Sequence, residues 1–182
     1  MKTDARVKYT RMVLKKALLE LLEHKPVNKI TVKEVCERAG LNRATFYAHY
    51  TDCFDLLESI EEELFGQFER SMQNYVQSFD IAALVDGLFG IIQENETVCR
   101  VLLFGRRSTE LIHRMIVYAH DLSIASWRRT LKKASDDELE MLYLCLSNGL
   151  LSVILDGYDR FDRQSVIRFI DLMYHQATAP LL

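Results

Sequence analysis

The stretch from Ile30 to Leu57, ITVKEVCERAGLNRATFYAHYTDCFDLL, limits the fold more than any other feature of this chain. Thr31 followed three residues later by Glu34 forms a capping box, in which each side chain satisfies an amide that the start of a helix leaves orphaned. A helix starting there places Val32, Val35, Cys36 and Ala39 on one face, the spacing of a short amphipathic helix. Gly40 supplies the left-handed residue that ends helices at little cost. Leu41 can plug the corner, and Asn42 is a strong N-cap. The spacing predicts a second helix from Arg43 to Tyr50. It turns Phe46 and Tyr50 inward, one turn apart, and leaves Arg43, Ala44, Thr45, Ala48 and His49 largely outward. Two short helices joined by a tight glycine turn make a helix-turn-helix, here spanning about residues 31–50.

The remainder reads as all-α. Only two prolines occur, Pro26 and Pro180, and no stretch alternates with the period of a strand. Expected helices run over roughly 4–24, 52–79, 81–93, 97–104, 109–133, 136–158 and 162–178. Ser135 with Glu138 opens the penultimate one through a second capping box. The net charge of −3 divides unevenly: residues 1–53 hold eleven Lys and Arg against six Asp and Glu, whereas residues 54–182 hold twelve against twenty. The basic charge sits where the helix-turn-helix lies, a footprint suited to phosphate. This predicts a DNA-binding domain over 1–53 and a helical body over 54–182.

No secretory signal is visible at the N-terminus. The longest charge-free run, Met141 to Leu155, falls short of the roughly 20 residues that span a bilayer. Cys36, Cys53, Cys99 and Cys145 show no paired spacing and read as reduced thiols of a cytoplasmic protein. No catalytic motif is present. His113 and His120 lie two helical turns apart, which suits neither a metal nor a proton relay, and His175 is alone, so neither metal nor cofactor is expected.

The run A-G-L-N-R-A-T-F-Y-A-H-Y, within Thr31 to Leu57 and with a weaker extension over Thr10 to Leu22, resembles the DNA-binding domain of the TetR family of bacterial transcriptional regulators. The resemblance implies a three-helix head whose last helix enters the major groove of double-stranded DNA. Arg43, Ala44 and Thr45 would meet base edges, with Lys33 reaching in from the preceding helix. Thr31, Tyr47 and His49 would contact phosphates, although Tyr47 and His49 could instead hydrogen-bond within the head. The family usually has a lysine where this chain has Cys53, so one phosphate contact is missing. Helix amides there could still receive a phosphate. A thiol on a helix's first turn could also serve as a redox sensor, though a small tolerated residue is the simpler reading.

The resemblance further implies a homodimer with a small-molecule pocket in the body. Phe89, Phe104, Met115, Tyr118, Trp127 and Tyr143 are candidate lining residues, although aromatics at helical spacing are more often core. Asn148, within an apolar helix, would need a partner if buried. Arg106 and Arg107, and Arg128 and Arg129 with Lys132 and Lys133, are basic clusters that could attract an anionic effector. Leu139, Leu142, Leu146, Leu150, Val153 and Ile154 on one helix, with Val166, Ile167, Ile170 and Met173 on the next, could pair with a second copy as a four-helix bundle. The alternative is that they close the monomer core. The reading implied is a sequence-specific DNA-binding regulator, a repressor, on a palindromic operator and answering to an effector of unknown identity. A DNA-bound protein-interaction module without an effector is the alternative.

Overall fold

The computed structural model describes residues 2–105 and 109–182; Arg106 and Arg107 lie outside the described residues. Among the described residues every regular element is helical. In order they are α1 (Lys2–Leu22), α2 (Val32–Ala39), α3 (Arg43–Tyr47), α4 (Cys53–Ser78), α5 (Ile81–Glu94), α6 (Glu96–Cys99), a π-turn (Arg100–Phe104), α7 (Thr109–Thr130), α8 (Asp136–Gly157) and α9 (Arg163–Thr178). Single 3-10 turns occupy Val27–Lys29 and Ala179–Leu181. Two compact units emerge, one of residues 2–64 with 97–105, the other of 65–96 with 109–182. The change of charge at 53/54 therefore falls at the start of α4, and that helix contributes residues to both units.

In the first unit, α1 packs on α2 and α2 on α3. Leu14, Ala17, Leu18 and Leu22 of α1 are buried as its periodicity requires, along with Val35, Cys36, Phe46, Tyr50, Leu56 and Ile60. Both halves of the predicted capping box form: the Glu34 amide donates to Thr31 Oγ1 at 3.3 Å, and the Thr31 amide donates to Glu34 Oε2 at 2.9 Å. Gly40 has φ 67°, and the Gly40 and Leu41 amides donate back to Glu37 and Cys36, the Schellman arrangement. The expected helix over 97–104 resolves instead into α6 and a π-turn. The Gly105 amide donates to the Arg100 carbonyl five residues back, and a Cβ on Gly105 would lie 2.6 Å from the Val101 carbonyl oxygen. A side chain there would break the turn.

In the second unit α5 packs on α9, α7 on α8 and α8 on α9. The predicted Ser135–Glu138 box is present, and Asp80 and Asp162 cap α5 and α9. Phe79 carries the chain between α4 and α5 at φ 55°, a strained setting for a bulky residue. Trp127 Nε1 donates to Tyr75 Oη at 3.0 Å, and the Tyr75 and Tyr174 hydroxyls share a hydrogen bond of 3.0 Å. All three residues are buried, and burial raises the Tyr75 pKa far above the ordinary phenol value. By length and composition α8 would pass for a membrane span, contrary to what its charge-free run suggests. Only part of its apolar surface is buried, because Met141 and Leu144 face outward.

Two consequences can be measured. The Glu34 carboxyl is held down to about 2 from 4.5, chiefly by its hydrogen bond from Lys25 and then by Thr31. A folded-state pKa below the unfolded one means stability that is present above about pH 4.5 and lost as pH falls toward 2. Glu34→Gln keeps an oxygen for the Thr31 amide but cannot titrate. Its denaturation midpoint should fall less steeply across that window than wild type, and parallel curves would remove Glu34 as the cause. Tyr75→Phe leaves the buried Trp127 N–H without an acceptor and should cost about 1–3 kcal/mol in urea unfolding. An unchanged midpoint would show that the indole finds another partner.

Candidate nucleic-acid interface

α3 is shorter than its sequence suggests. The expected span of Arg43 to Tyr50 ends as helix at Tyr47, with Ala48 as C-cap, and His49 and Tyr50 continue in turn geometry. Asn42 sets its start by accepting from the Thr45 amide at 2.8 Å. Phe46 sets its rotation: it has no exposed surface, and Tyr50 lies beside it with ring centroids 6.0 Å apart. With Phe46 fixed inward, Arg43, Ala44 and Tyr47 point outward and are exposed. Arg43 and Tyr47 are one turn apart on the same side. Tyr47, 58% exposed, packs its ring edge-on to Phe46.

The other candidates are more constrained. The Thr45 hydroxyl lies 3.0 Å from Asn42 Oδ1 and donates to it, which leaves the methyl and the oxygen lone pairs for an outside partner. Thr31 is exposed, but its hydroxyl donates to Glu34 Oε2 at 2.8 Å, so a phosphate would have to share it. Lys33 is exposed and pairs loosely with Glu37 at 3.6 Å. That contact between two well-exposed side chains is worth little, so it does not fix the ammonium. His49 is half-buried against the Tyr50 ring.

Around Cys53 the sequence left two possibilities open, helix amides receiving a phosphate and a redox-active thiol as the less simple reading. The amides at the start of α4 are not open to phosphate, because Asp52 Oδ1 accepts from Phe54 and Asp55 at 2.8 and 2.9 Å. Cys53 is buried, and desolvation with the neighbouring Asp52 charge pushes its thiol up to about 11. A thiol held protonated and out of solvent lacks the character of a redox sensor. Phe54, beside it and 55% exposed, is an outward aromatic that the sequence reading passed over.

In the second unit a cavity of about 80 Å³ is lined from α4, α5, α7, α8 and α9. Of the aromatic candidates, Trp127 and Tyr143 line it. Phe89 stacks on Tyr158, Tyr118 packs on Phe65 and Phe68, and neither Phe104 nor Met115 contributes to its wall. Asn148 is exposed and donates to the Leu144 carbonyl of its own helix at 2.8 Å, so the buried-amide reading fails. The contributions missed from sequence are Met72 and Tyr75 of α4 and Tyr174 of α9. For the two tyrosines the signal was a hydroxyl on an otherwise apolar helix stripe. Arg128 pairs with Asp136 at 2.9 Å, which neutralises part of the basic cluster at the end of α7.

The candidate interface residues divide. Leu139, Ile154, Val166 and Ile170 are buried within the chain itself, which corrects their assignment to a surface between subunits. Leu146, Leu150 and Ile170 line the cavity. Leu142, Val153 and Ile167 are half-buried, and Met173 is exposed. The outward apolar residues of α8 and α9 also include Met141, Leu144, Phe169 and Leu172, each more than half exposed.

Residues 14–60 match the family model for bacterial regulatory proteins of the tetR family. Over 51 residues the chain is 37% identical to the uncharacterized HTH-type transcriptional regulator YxbF of Bacillus subtilis, covering 28% of this chain and 13% of that protein. The fold is similar to that of the fatty acid degradation regulator FadR from Bacillus halodurans, with TM-score 0.65 and 13% identity over 91% of this chain and 94% of that one. It is equally similar to a structure described as a TetR-family transcriptional regulator from Syntrophomonas wolfei, with TM-score 0.65 and 14% identity over 96% and 97%. The matched segment is the one whose capping box, Schellman turn and outward-facing α3 are described above, and over that segment the chain is similar to the tetR family of bacterial regulatory proteins.

Proposed function

We propose that this chain is a cytoplasmic, sequence-specific DNA-binding repressor that acts as a homodimer on a palindromic operator and releases it when a small molecule occupies the body. The observation that carries the reading is α3. Its inward side is locked by Phe46, while Arg43, Ala44 and Tyr47 stand exposed on a segment rich in Lys and Arg. Arg43 makes no hydrogen bond or ion pair with another side chain among the described residues, so its guanidinium is available for bidentate contact with a guanine edge. Lys33 would reach in from α2 beside it, and Thr31, Tyr47 and His49 would hold the register on phosphates.

The dimer reading rests on the outward apolar residues of α8 and α9, since an uncovered apolar patch of this kind marks an interaction surface. A twofold partner would cover Met141, Leu144, Phe169, Leu172 and Met173 with their own counterparts. Release by a ligand requires that the ligand bind the DNA-incompetent state more tightly than the competent one. The small size of the cavity favours the alternative in which the body docks a protein and no effector exists.

Fluorescence anisotropy with DNA from upstream of the chain's own gene, run against scrambled competitor at two salt concentrations, tests the reading. Tight binding that resists competitor is expected; binding that ignores sequence and vanishes with salt would sink it. On the operator so found, Arg43→Ala should lose about 1–3 kcal/mol while leaving the oligomeric state unchanged. Equal affinity would remove Arg43 from the reading residues. Leu144→Glu should yield monomers by light scattering. It is a cleaner probe than Leu150, which faces the cavity, and a dimeric variant would place the interface elsewhere.

A further inference from the structure

The cavity in the second unit has a defined chemistry. Its lining includes no ionisable acid or base other than tyrosine, and its walls are otherwise aliphatic, aromatic or hydroxyl-bearing. Three polar hydrogens meet at one wall: the Trp127 indole N–H and the Tyr75 and Tyr174 hydroxyls. They form two hydrogen bonds among themselves, from Trp127 to Tyr75 and between the two tyrosines. Three donors and two bonds leave one phenolic hydrogen over, whichever way the tyrosine pair is oriented. Tyr143 forms no hydrogen bond with either of these tyrosines among the described residues; its own hydroxyl donates to the Ile116 carbonyl at 2.6 Å. Neither the Tyr75 nor the Tyr174 hydroxyl makes another hydrogen bond among the described residues. Buried polar hydrogens in folded proteins are almost always paired.

We infer that this cavity binds a compact, uncharged, mainly apolar molecule bearing one hydrogen-bond-accepting oxygen, of the short-chain ketone or aldehyde class, with that oxygen on the spare Tyr75–Tyr174 hydroxyl. The inference builds on the reading of the body as a ligand-sensing unit and specifies the ligand. Size sets one bound: at about 80 Å³ the space is roughly half the ~150 Å³ that admits benzene in an engineered apolar cavity. Charge sets another, because a carboxylate would be desolvated with no cation among the lining residues to meet it. The oxygen sets the third, since a pure hydrocarbon would leave the spare hydroxyl unpaired.

Trp127 is the chain's single tryptophan and lines the cavity, so its indole N–H resonance and fluorescence report occupancy directly. The full-length protein is titrated with acetone, isobutane and acetate, all of four heavy atoms, at neutral pH. A saturable shift of the indole resonance with acetone is expected, with isobutane about tenfold weaker and acetate without effect. Ala119→Leu fills the space from α7 and should abolish the response while retaining the thermal transition. If that variant fails to fold, Leu150→Phe fills it from α8. Isobutane binding as tightly as acetone would remove the donor from the site. No response from folded wild-type protein to any of the three would mean that the cavity holds water alone. Either result overturns the inference. Operator affinity measured in the same samples separates the two readings: acetone binding that leaves DNA affinity unchanged would sink the effector mechanism and keep the cavity chemistry. Absent acetone binding with intact operator binding would sink the cavity chemistry and leave the DNA-binding reading standing.

Discussion

A helix of five residues cannot hold itself together in water, because forming the first turn fixes more backbone than one hydrogen bond repays. α3 is such a helix, and the geometry of the head follows from this constraint. Its start is fixed by Asn42, its rotation by the fully buried Phe46, and its approach by the left-handed Gly40. α1 and the first part of α4 supply the apolar floor through Leu14, Leu18, Leu56 and Ile60. Orientation of the outward residues of α3 is thus a property of the three-helix core, and mutations far from Arg43 can turn it.

The head was legible in sequence because its signals are local. A capping box, a glycine and an asparagine each act within four residues, and each formed the hydrogen bonds its spacing implies. The helix ends that were misjudged lack such signals. Nothing in Ala48 to Tyr50 announces that the helix stops at Tyr47, and nothing in 97–104 announces a π-turn except Gly105, whose reason lies in the nearby Val101 carbonyl. The capping by Asp52 was not read from sequence, and it closes the amides at the start of α4 to phosphate.

The body was less legible because its decisive facts are tertiary. Periodicity separates an apolar stripe from a polar one, but α8 has apolar residues on both sides, so the stripe alone could not say which residues face the core. Leu139 and Ile154 turned out to be inside, while Met141 and Leu144 lie outside. Asn148 looked informative because an amide in an apolar helix stands out, yet a bond to its own helix's carbonyl satisfies it without burial. Tyr75 and Tyr174, 99 residues apart, are joined by a hydrogen bond no local pattern could reveal.

The two-sidedness of α8 has a consequence for how its sequence can change. Leu146, Ser147 and Leu150 face the cavity, while Leu144, Cys145 and Asn148 face outward. A single inserted residue rotates everything after it by about 100° around the helix axis. Side chains that now look inward would be carried toward the outer surface, and those outside would be driven toward the wall. An insertion of seven residues, close to two full turns, would nearly restore the facing. Length in this helix is therefore quantised: drift among relatives can exchange one apolar side chain for another far more readily than it can add or drop a residue.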